Sequence, residues 1–220
     1  MNRNKVAAVI PAFNEAETIR EVINAVKQSE LIDEVIVVSD GSNDETAAIA
    51  RSCGITVYDL ETNVGKGWAM LYAVKRTDAD IIIFLDADLI GLESSHVDKI
   101  LRPVLNEEKE MVVGIRDLGK IYAMLYRFLP LTSGQRAIRK HILTKIHPQF
   151  IKGFTVEFSM NYYCRLNNLS VGVIFLSGVT IRKKIHKVDF FRALCQYISM
   201  IFEILKCAVL IRLSKNFLTD

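Results

Sequence analysis

No Gly-x-Gly-x-x-Gly follows the first apolar run of this sequence, which disfavours a dinucleotide-binding dehydrogenase. Cysteine is scarce: Cys53, Cys164, Cys195 and Cys207 show no Cys-x-x-Cys spacing. With no secretory signal ahead of them, reduced thiols are expected and a zinc site is not. The opening residues, Met1 to Lys5, are short and polar and do not resemble a targeting segment. There is no internal repeat and no low-complexity tract, so the 220 residues are expected to form one sizeable core with at most a small appendage.

Half of the residues are hydrophobic and the mean hydropathy is +0.23, above what a soluble domain needs. Some apolar surface is therefore expected to face something other than water. The net charge of +3 hides an asymmetry. Residues 1–120 carry 13 Lys and Arg against 21 Asp and Glu, whereas residues 121–220 carry 15 against 4. An acidic part able to hold a metal and a basic part facing an anionic partner follow from this. On charge alone that partner could be nucleic acid, a phosphorylated acceptor or an anionic membrane surface.

The chain is organised around Ile81-Ile-Ile-Phe-Leu-Asp86-Ala-Asp88-Leu89. Five apolar residues ending in two carboxylates read as a buried central strand that delivers an Asp-x-Asp pair to its carboxyl end. Residues i and i+2 of an extended chain share a face, so Asp86 and Asp88, flanking Ala87, can converge on one hard divalent cation. Further strands are expected at Val6–Ile10, Val35–Val38, Ile55–Tyr58 and Met111–Ile115, alternating with helices. Asn14 with Glu17, and Ser42 with Glu45, have the spacing of capping boxes, and Gly54 can close the second helix. A helix is expected from Trp68 to Arg76. Such alternation predicts a mostly parallel α/β sheet covered on both faces. Ligands of such sheets bind beyond the strands' carboxyl ends, where Asn14, Glu15, Asp40, Lys66, Asp86 and Asp88 gather.

The second half is less regular. Helices are expected over 121–129, from Ser133 through Arg136, Arg139 and Lys140 as a basic helix, and from Gly153 to Cys164. Short strands follow at Val171–Leu176 and Gly178–Ile181. Between Val188 and Leu213 a narrow polar stripe runs along an otherwise apolar helix. Arg192, Glu203 and Lys206 interrupt it too often for a membrane span. With a net charge of +5 over 182–220, peripheral contact with anionic headgroups is expected, ahead of core packing or a homodimer seam.

Four stretches in order, Pro11-Ala-Phe-Asn14-Glu15, Ser39-Asp40-Gly41-Ser42-Asn43-Asp44-Glu45-Thr46, Asn63-Val-Gly65-Lys66-Gly67 and Phe84-Leu-Asp86-Ala-Asp88-Leu89, resemble the family 2 glycosyltransferases. The resemblance is strong over residues 6–116 and continues to about 187. It implies the GT-A fold, with a glycosyltransferase domain over 1–187 and the apolar helix over 188–220 as an appendage. Within that domain, residues 1–120 would bind nucleotide-sugar and metal, and 121–187 the acceptor. By the same resemblance Pro11, Phe13, Glu15 and Asp40 hold the nucleoside, Lys66 and Arg116 lie near the donor, and Asp86, Ala87 and Asp88 meet the ribose and the Mg2+ or Mn2+ ion. His186 is the candidate third metal ligand.

The nearest look is to dolichyl- or polyprenyl-phosphate sugar synthases, in which Arg136 and Arg139 would sit on the acceptor phosphate. Such a dianionic acceptor attacks without a general base, which leaves Glu157 a structural or acceptor-positioning carboxylate. The expected activity is thus metal-dependent transfer of a hexose, with inversion, from a UDP- or GDP-sugar to a polyprenyl phosphate. It would take place at the cytoplasmic membrane face, with no nucleic-acid partner. The alternative is a soluble enzyme acting on a small phosphorylated acceptor, as a glucosyl-phosphoglycerate synthase does. A nucleotidyltransferase and a non-catalytic lipid-binding protein are more distant readings. The sequence departs from the family at Ser39-Asp40, where many members carry Asp-Asp. It also lacks the Gln-x-x-Arg-Trp signature of processive polysaccharide synthases, so polymerisation is not expected.

Overall fold

The computed structural model describes residues 3–116, 133–151 and 155–182. Seven strands make the main sheet: β1 (Val6–Ala12), β2 (Glu34–Asp40), β3 (Thr56–Leu60), β4 (Ile81–Phe84), β6 (Met111–Arg116), β7 (Arg136–Arg139) and β8 (Val171–Leu176). They lie in the order β3-β2-β1-β4-β7-β6-β8. All run parallel except β7, which is antiparallel to both of its neighbours, β4 and β6. A separate two-stranded ribbon pairs β5 (Leu89–Ile90) with β9 (Thr180–Ile181).

The helices are α1 (Ile19–Lys27), α2 (Thr46–Ser52), α3 (Lys66–Val74), α4 (Ser94–Leu105), α5 (Lys140–Thr144) and α6 (Thr155–Leu166). Period-two alternation along the strands divides the core into two layers. Val6, Ala8, Ile10, Ile81 and Ile83 pack with residues of α1 and α4. Ala7, Val9, Ile82 and Phe84 pack with residues of α3, α5 and α6. Every residue of β1 and β4 is buried, because a parallel strand covered on both faces must be apolar at every position. Each fully buried aliphatic side chain contributes about 1.5–3 kcal/mol, so β4 is a rigid base for whatever follows it.

Several expectations meet corrections here. Ser133 to Lys140 does not open a helix: Arg136–Arg139 is strand β7, and only the five-residue α5 follows it. Helix α3 begins at Lys66, two residues before Trp68, which places the lysine on its first turn. Neither proposed capping box forms. Asn14 is left-handed (φ 56°) and its Oδ1 accepts from Asn43 N–H at 2.8 Å, while Ser42 Oγ accepts from Asn14 N–H at 3.1 Å. These residues brace two loops against each other instead of capping helices. A capping box does form at α4, between Glu93 and His96. Gly54 closes α2 with a left-handed φ of 67°, as its position predicts.

The 121–129 segment, the boundaries at 120/121 and 187/188 and the helix over 188–213 lie outside the described residues. Strands β7 and β8, from the second half of the chain, are part of the same sheet as β1 to β4. None of the described helices is long and apolar enough to cross a membrane.

Candidate active site at the carboxyl end of the sheet

The parallel strands end together, and a cavity of about 410 Å³ opens beyond them, lined by residues that include Pro11, Phe13, Glu15, Asp40, Lys66, Asp86, Ala87 and Asp88. They come from four neighbouring places: the end of β1 and the loop after it, the end of β2, the start of α3 after β3, and the segment after β4. The loop after β1 is held open by the one after β2: Glu15 N–H donates to Thr46 Oγ1 at 2.8 Å and Ala16 N–H to Asp44 Oδ2 at 3.1 Å. Although burial opposes its charge, bonds from Thr46 and Ala16 hold the Asp44 carboxyl below its usual range. Phe13 stands on the cavity wall, 41% exposed.

Asp40 is buried at the end of β2, and both its oxygens are engaged: Oδ1 accepts from Val64 N–H at 2.7 Å and Oδ2 from Gly65 N–H at 2.9 Å. It therefore shapes the loop that carries Lys66, as well as lining the cavity. Gly65 has φ 91°, a left-handed conformation that an L side chain would strain, so a glycine fits where the chain turns into α3.

Asp86 leaves β4 toward the layer containing α3 and α6. Lys66 Nζ lies 2.7 Å from Asp86 Oδ1 and 2.8 Å from Glu157 Oε1, bridging the two carboxylates. Burial works against the ammonium's charge, but the two carboxylates outweigh it and hold its pKa well above the usual lysine value. Gln135 Nε2 donates to Asp86 Oδ2 at 2.6 Å. Gly134 sits against the same carboxylate, where a Cβ would stand 2.3 Å from Asp86 Oδ1 and 2.6 Å from Lys66 Nζ. Asp86 is thus oriented by a lysine, an amide and a glycine.

Asp88 differs. Among the described residues no cation pairs with its side chain, and burial, reinforced by the charges of Asp86 and Glu15, pushes its pKa up to about 6. A desolvated carboxylate flanked by two others is stabilised by a cation, and an all-oxygen set suits a hard one. The site therefore fits Mg2+ or Mn2+ at Asp88 with Asp86 beside it. Among the described residues no three metal-type side chains are placed to hold a metal ion between them, and His186 lies outside those residues. The last described residue, Arg182, donates its backbone N–H to the Asp88 carbonyl at 2.9 Å.

The two arginines expected on an acceptor phosphate are placed otherwise. Arg136 is 0% exposed, on the α3 and α6 face of β7. Its Nε and Nη2 donate to the Ser133 carbonyl at 3.1 and 2.5 Å, and its Nη1 donates to the Glu157 carbonyl at 3.3 Å. Arg139 pairs in register with Ile81, at the amino end of β4, and lies 3.3 Å from Glu110 Oε2 and 3.5 Å from Glu107 Oε1. Because β7 runs backwards, Arg139 is carried to the sheet edge opposite the cavity. Arg116 ends β6 at the same edge as the cavity but is not among the residues that line it.

Sequence reasoning missed Gly134 and Gln135 as supports of Asp86. Their signal was a glycine and an amide immediately before a four-residue strand, legible only once that strand is known to pair with β4.

Comparisons with known proteins agree with this geometry. Residues 7–161 match the family model for glycosyl transferase family 2. Over 109 residues the chain is 38% identical to glucosyl-3-phosphoglycerate synthase of Mycolicibacterium smegmatis, covering 46% of this chain and 36% of that protein. Over 124 residues it is 31% identical to 4,4'-diaponeurosporenoate glycosyltransferase of Staphylococcus haemolyticus, covering 53% and 33%. The matched stretches thus span about a third of the length of these curated relatives. Among solved structures, glucosyl-3-phosphoglycerate synthase from Mycobacterium tuberculosis with Mn2+, UDP and glucosyl-3-phosphoglycerate is similar at a TM-score of 0.76 and 26% identity, over 95% of this chain and 80% of that one. The same enzyme with Mg2+ and UDP gives a TM-score of 0.77 at 25% identity, over 95% and 79%. The sheet order, the reversed β7, the strand-end cavity and the family match lead to one conclusion: this chain belongs to glycosyl transferase family 2 and has its GT-A fold.

Proposed function

We propose that the protein is a metal-dependent glycosyltransferase that moves a hexose from a UDP-sugar to a small phosphorylated acceptor, as glucosyl-3-phosphoglycerate synthase does. The observation that carries this reading is the desolvated Asp88 beside the Lys66–Asp86 pair on the wall of a cavity with an exposed aromatic. Phe13 would face the base, Asp86 the ribose, and Asp88, with Asp86, the Mg2+ or Mn2+ ion. When bound, that ion would supply Lewis-acid stabilisation of the charge developing on the leaving diphosphate. Lys66 adds a fixed positive charge at the same wall.

Polyprenyl phosphate is the less supported acceptor. It was expected from Arg136, Arg139 and the helix over 188–213. The first arginine is buried, the second points away from the cavity, and the helix is outside the described residues. The similarity, at 26% identity, to an enzyme solved with Mn2+, UDP and phosphoglyceric acid supports the small acceptor. A water-soluble acceptor also removes the need for a membrane face.

The test is a screen of UDP- and GDP-hexoses against 3-phosphoglycerate and against polyprenyl phosphate, read by nucleoside diphosphate release with and without Mn2+. Mn2+-dependent UDP release with the small acceptor is expected. Release only with polyprenyl phosphate would reinstate that acceptor, and pyrophosphate release from a nucleoside triphosphate would replace the reading with nucleotidyl transfer.

Two further results are expected. Gly134→Ala places a methyl group 2.3 Å from Asp86 Oδ1 and 2.6 Å from Lys66 Nζ, so the bridged pair must shift. Displacing such groups by about 1 Å costs on the order of a hundredfold in kcat/KM, which steady-state kinetics can check. The second concerns pH. Asp88 must be ionised to hold a cation, and its pKa of about 6 lies above that of a free carboxyl. Mn2+ affinity in the presence of UDP is therefore expected to fall roughly tenfold between pH 7 and pH 5, as calorimetry can measure. In the metal-free protein the sign reverses. The folded state binds the proton more tightly than the unfolded chain, so stability rises as pH falls through about 6.

A further inference from the structure

We propose that Arg136 is a positioning residue that sets the Asp86 carboxylate from behind, through the Ser133–Gln135 turn. The inference rests on the donor-binding reading above and concerns residues that are not among those lining the cavity.

The chain of contacts is continuous. The Arg136 guanidinium grips the Ser133 carbonyl through Nε and Nη2, at 3.1 and 2.5 Å. Through Nη1 it reaches the Glu157 carbonyl and Asn161 Oδ1, both at 3.3 Å, on the first two turns of α6. One cation therefore ties the turn before β7 to the helix that carries Glu157. From Ser133 the contact passes on, because Ser133 Oγ lies 2.6 Å from Gln135 Oε1. The single hydroxyl proton has two acceptors in reach, Gln135 Oε1 and the Gly114 carbonyl at 2.5 Å, and the contact with Oε1 agrees with the carboxamide turning its Nε2 toward Asp86. Gln135 Nε2 then donates to Asp86 Oδ2 at 2.6 Å, and Gly134, between the two, packs on both Asp86 oxygens. The far side of Asp86 is held by Lys66, which Glu157 holds in turn. Among the described residues the supports of Asp86 thus lead back to the segment or the helix that the guanidinium joins, Lys66 through its pair with Glu157.

Cost makes the same point. A fully buried guanidinium gives up its hydration, and burial pulls its pKa down. An apolar side chain of similar volume in such a place is often at least as stabilising, so core packing alone does not account for the arginine. A planar fork that satisfies two backbone carbonyls at fixed angles does account for it. Outer groups that orient a ligating or substrate-binding side chain typically matter by 10- to 100-fold in affinity.

The experiment is a double-mutant cycle on nucleotide binding. UDP affinity in the presence of Mn2+ is measured by calorimetry for the wild type, Arg136→Lys, Gln135→Met and the double variant, with thermal unfolding recorded for each. Arg136→Lys keeps a buried cation but loses the fork on Ser133. Each single change is expected to weaken UDP binding about tenfold, and the double to be no more than about threefold weaker than the worse single, because both cut one relay. Independent losses that multiply to roughly a hundredfold overturn the proposal, as does an Arg136→Lys variant that melts lower yet binds UDP as the wild type does. Should Arg136→Lys fail to fold, Asn161→Ala, which removes one acceptor of the guanidinium, takes its place in the cycle with the same two outcomes. A wild-type protein with no UDP affinity overturns the donor reading and this inference together; wild-type affinity with multiplying losses overturns this inference alone.

Discussion

Asp88→Asn is expected to lower metal-dependent turnover by about a thousandfold while leaving the fold intact. The asparagine keeps the shape of the side chain and removes the charge that a cation needs. It also removes a charge the fold disfavours, since burial and the neighbouring Asp86 and Glu15 already push the carboxyl toward its neutral form. The melting temperature of the metal-free variant should therefore match or slightly exceed that of the wild type. Turnover kinetics over a Mn2+ series, with thermal melts in chelator, separate these effects. Unchanged kinetics would remove Asp88 from the metal site, and a collapsed melt would make it a structural residue instead.

Lys66→Met is expected to cost both stability and activity. The ammonium is the cation shared by Asp86 and Glu157, whose side chain is only 2% exposed. Without it two carboxylates face each other, and among the described residues Glu157 Oε2 already has no hydrogen-bond partner. Breaking such a bridge by deleting one partner costs roughly 3 kcal/mol. One of the two carboxyls should then retain a proton in the folded state, with a raised pKa. By linkage, the stability deficit shrinks as pH falls and is largest above neutrality. Urea denaturation at pH 8 and at pH 5 checks this, the variant's deficit being smaller at pH 5. A deficit independent of pH would mean that the two carboxylates relax apart. Turnover should fall by about a hundredfold or more, because Asp86 loses the group that orients it.

These two residues also mark how much could be read from the chain. Continuous apolar runs at 6–10 and 81–85 announce strands buried on both faces, and parallel topology then gathers their carboxyl ends at one edge. That is enough to bring Glu15, Asp40, Lys66, Asp86 and Asp88 to one cavity. Each of these residues ends its strand, follows it within a few residues or begins the next helix, so local pattern and topology suffice.

The second half resisted such reading for a specific reason. In Arg136-Ala-Ile-Arg139 the arginines are three apart, which on a helix puts them on one face. On a strand it puts them on opposite faces and about 10 Å apart along the chain. Four residues are too few for periodicity to choose between the two. The choice falls to pairing with β4 and β6, contacts tens of residues distant in sequence. Antiparallel insertion of β7 buries Arg136, carries Arg139 to the far edge and delivers Gly134 and Gln135 to Asp86.

What the sequence by itself determined is the sheet, its order of strands and helices through residue 116, and the acidic pair at its carboxyl edge, because these depend on near-neighbour patterns of hydrophobicity. What only the tertiary structure decided is the state of each group in the site: Asp86 held by Lys66 and Gln135, Asp88 desolvated and lacking a paired cation among the described residues, and Arg136 turned inward. Those states are set by burial and by charges brought together across the fold, and a linear pattern does not contain distances between segments that meet only when the chain has folded.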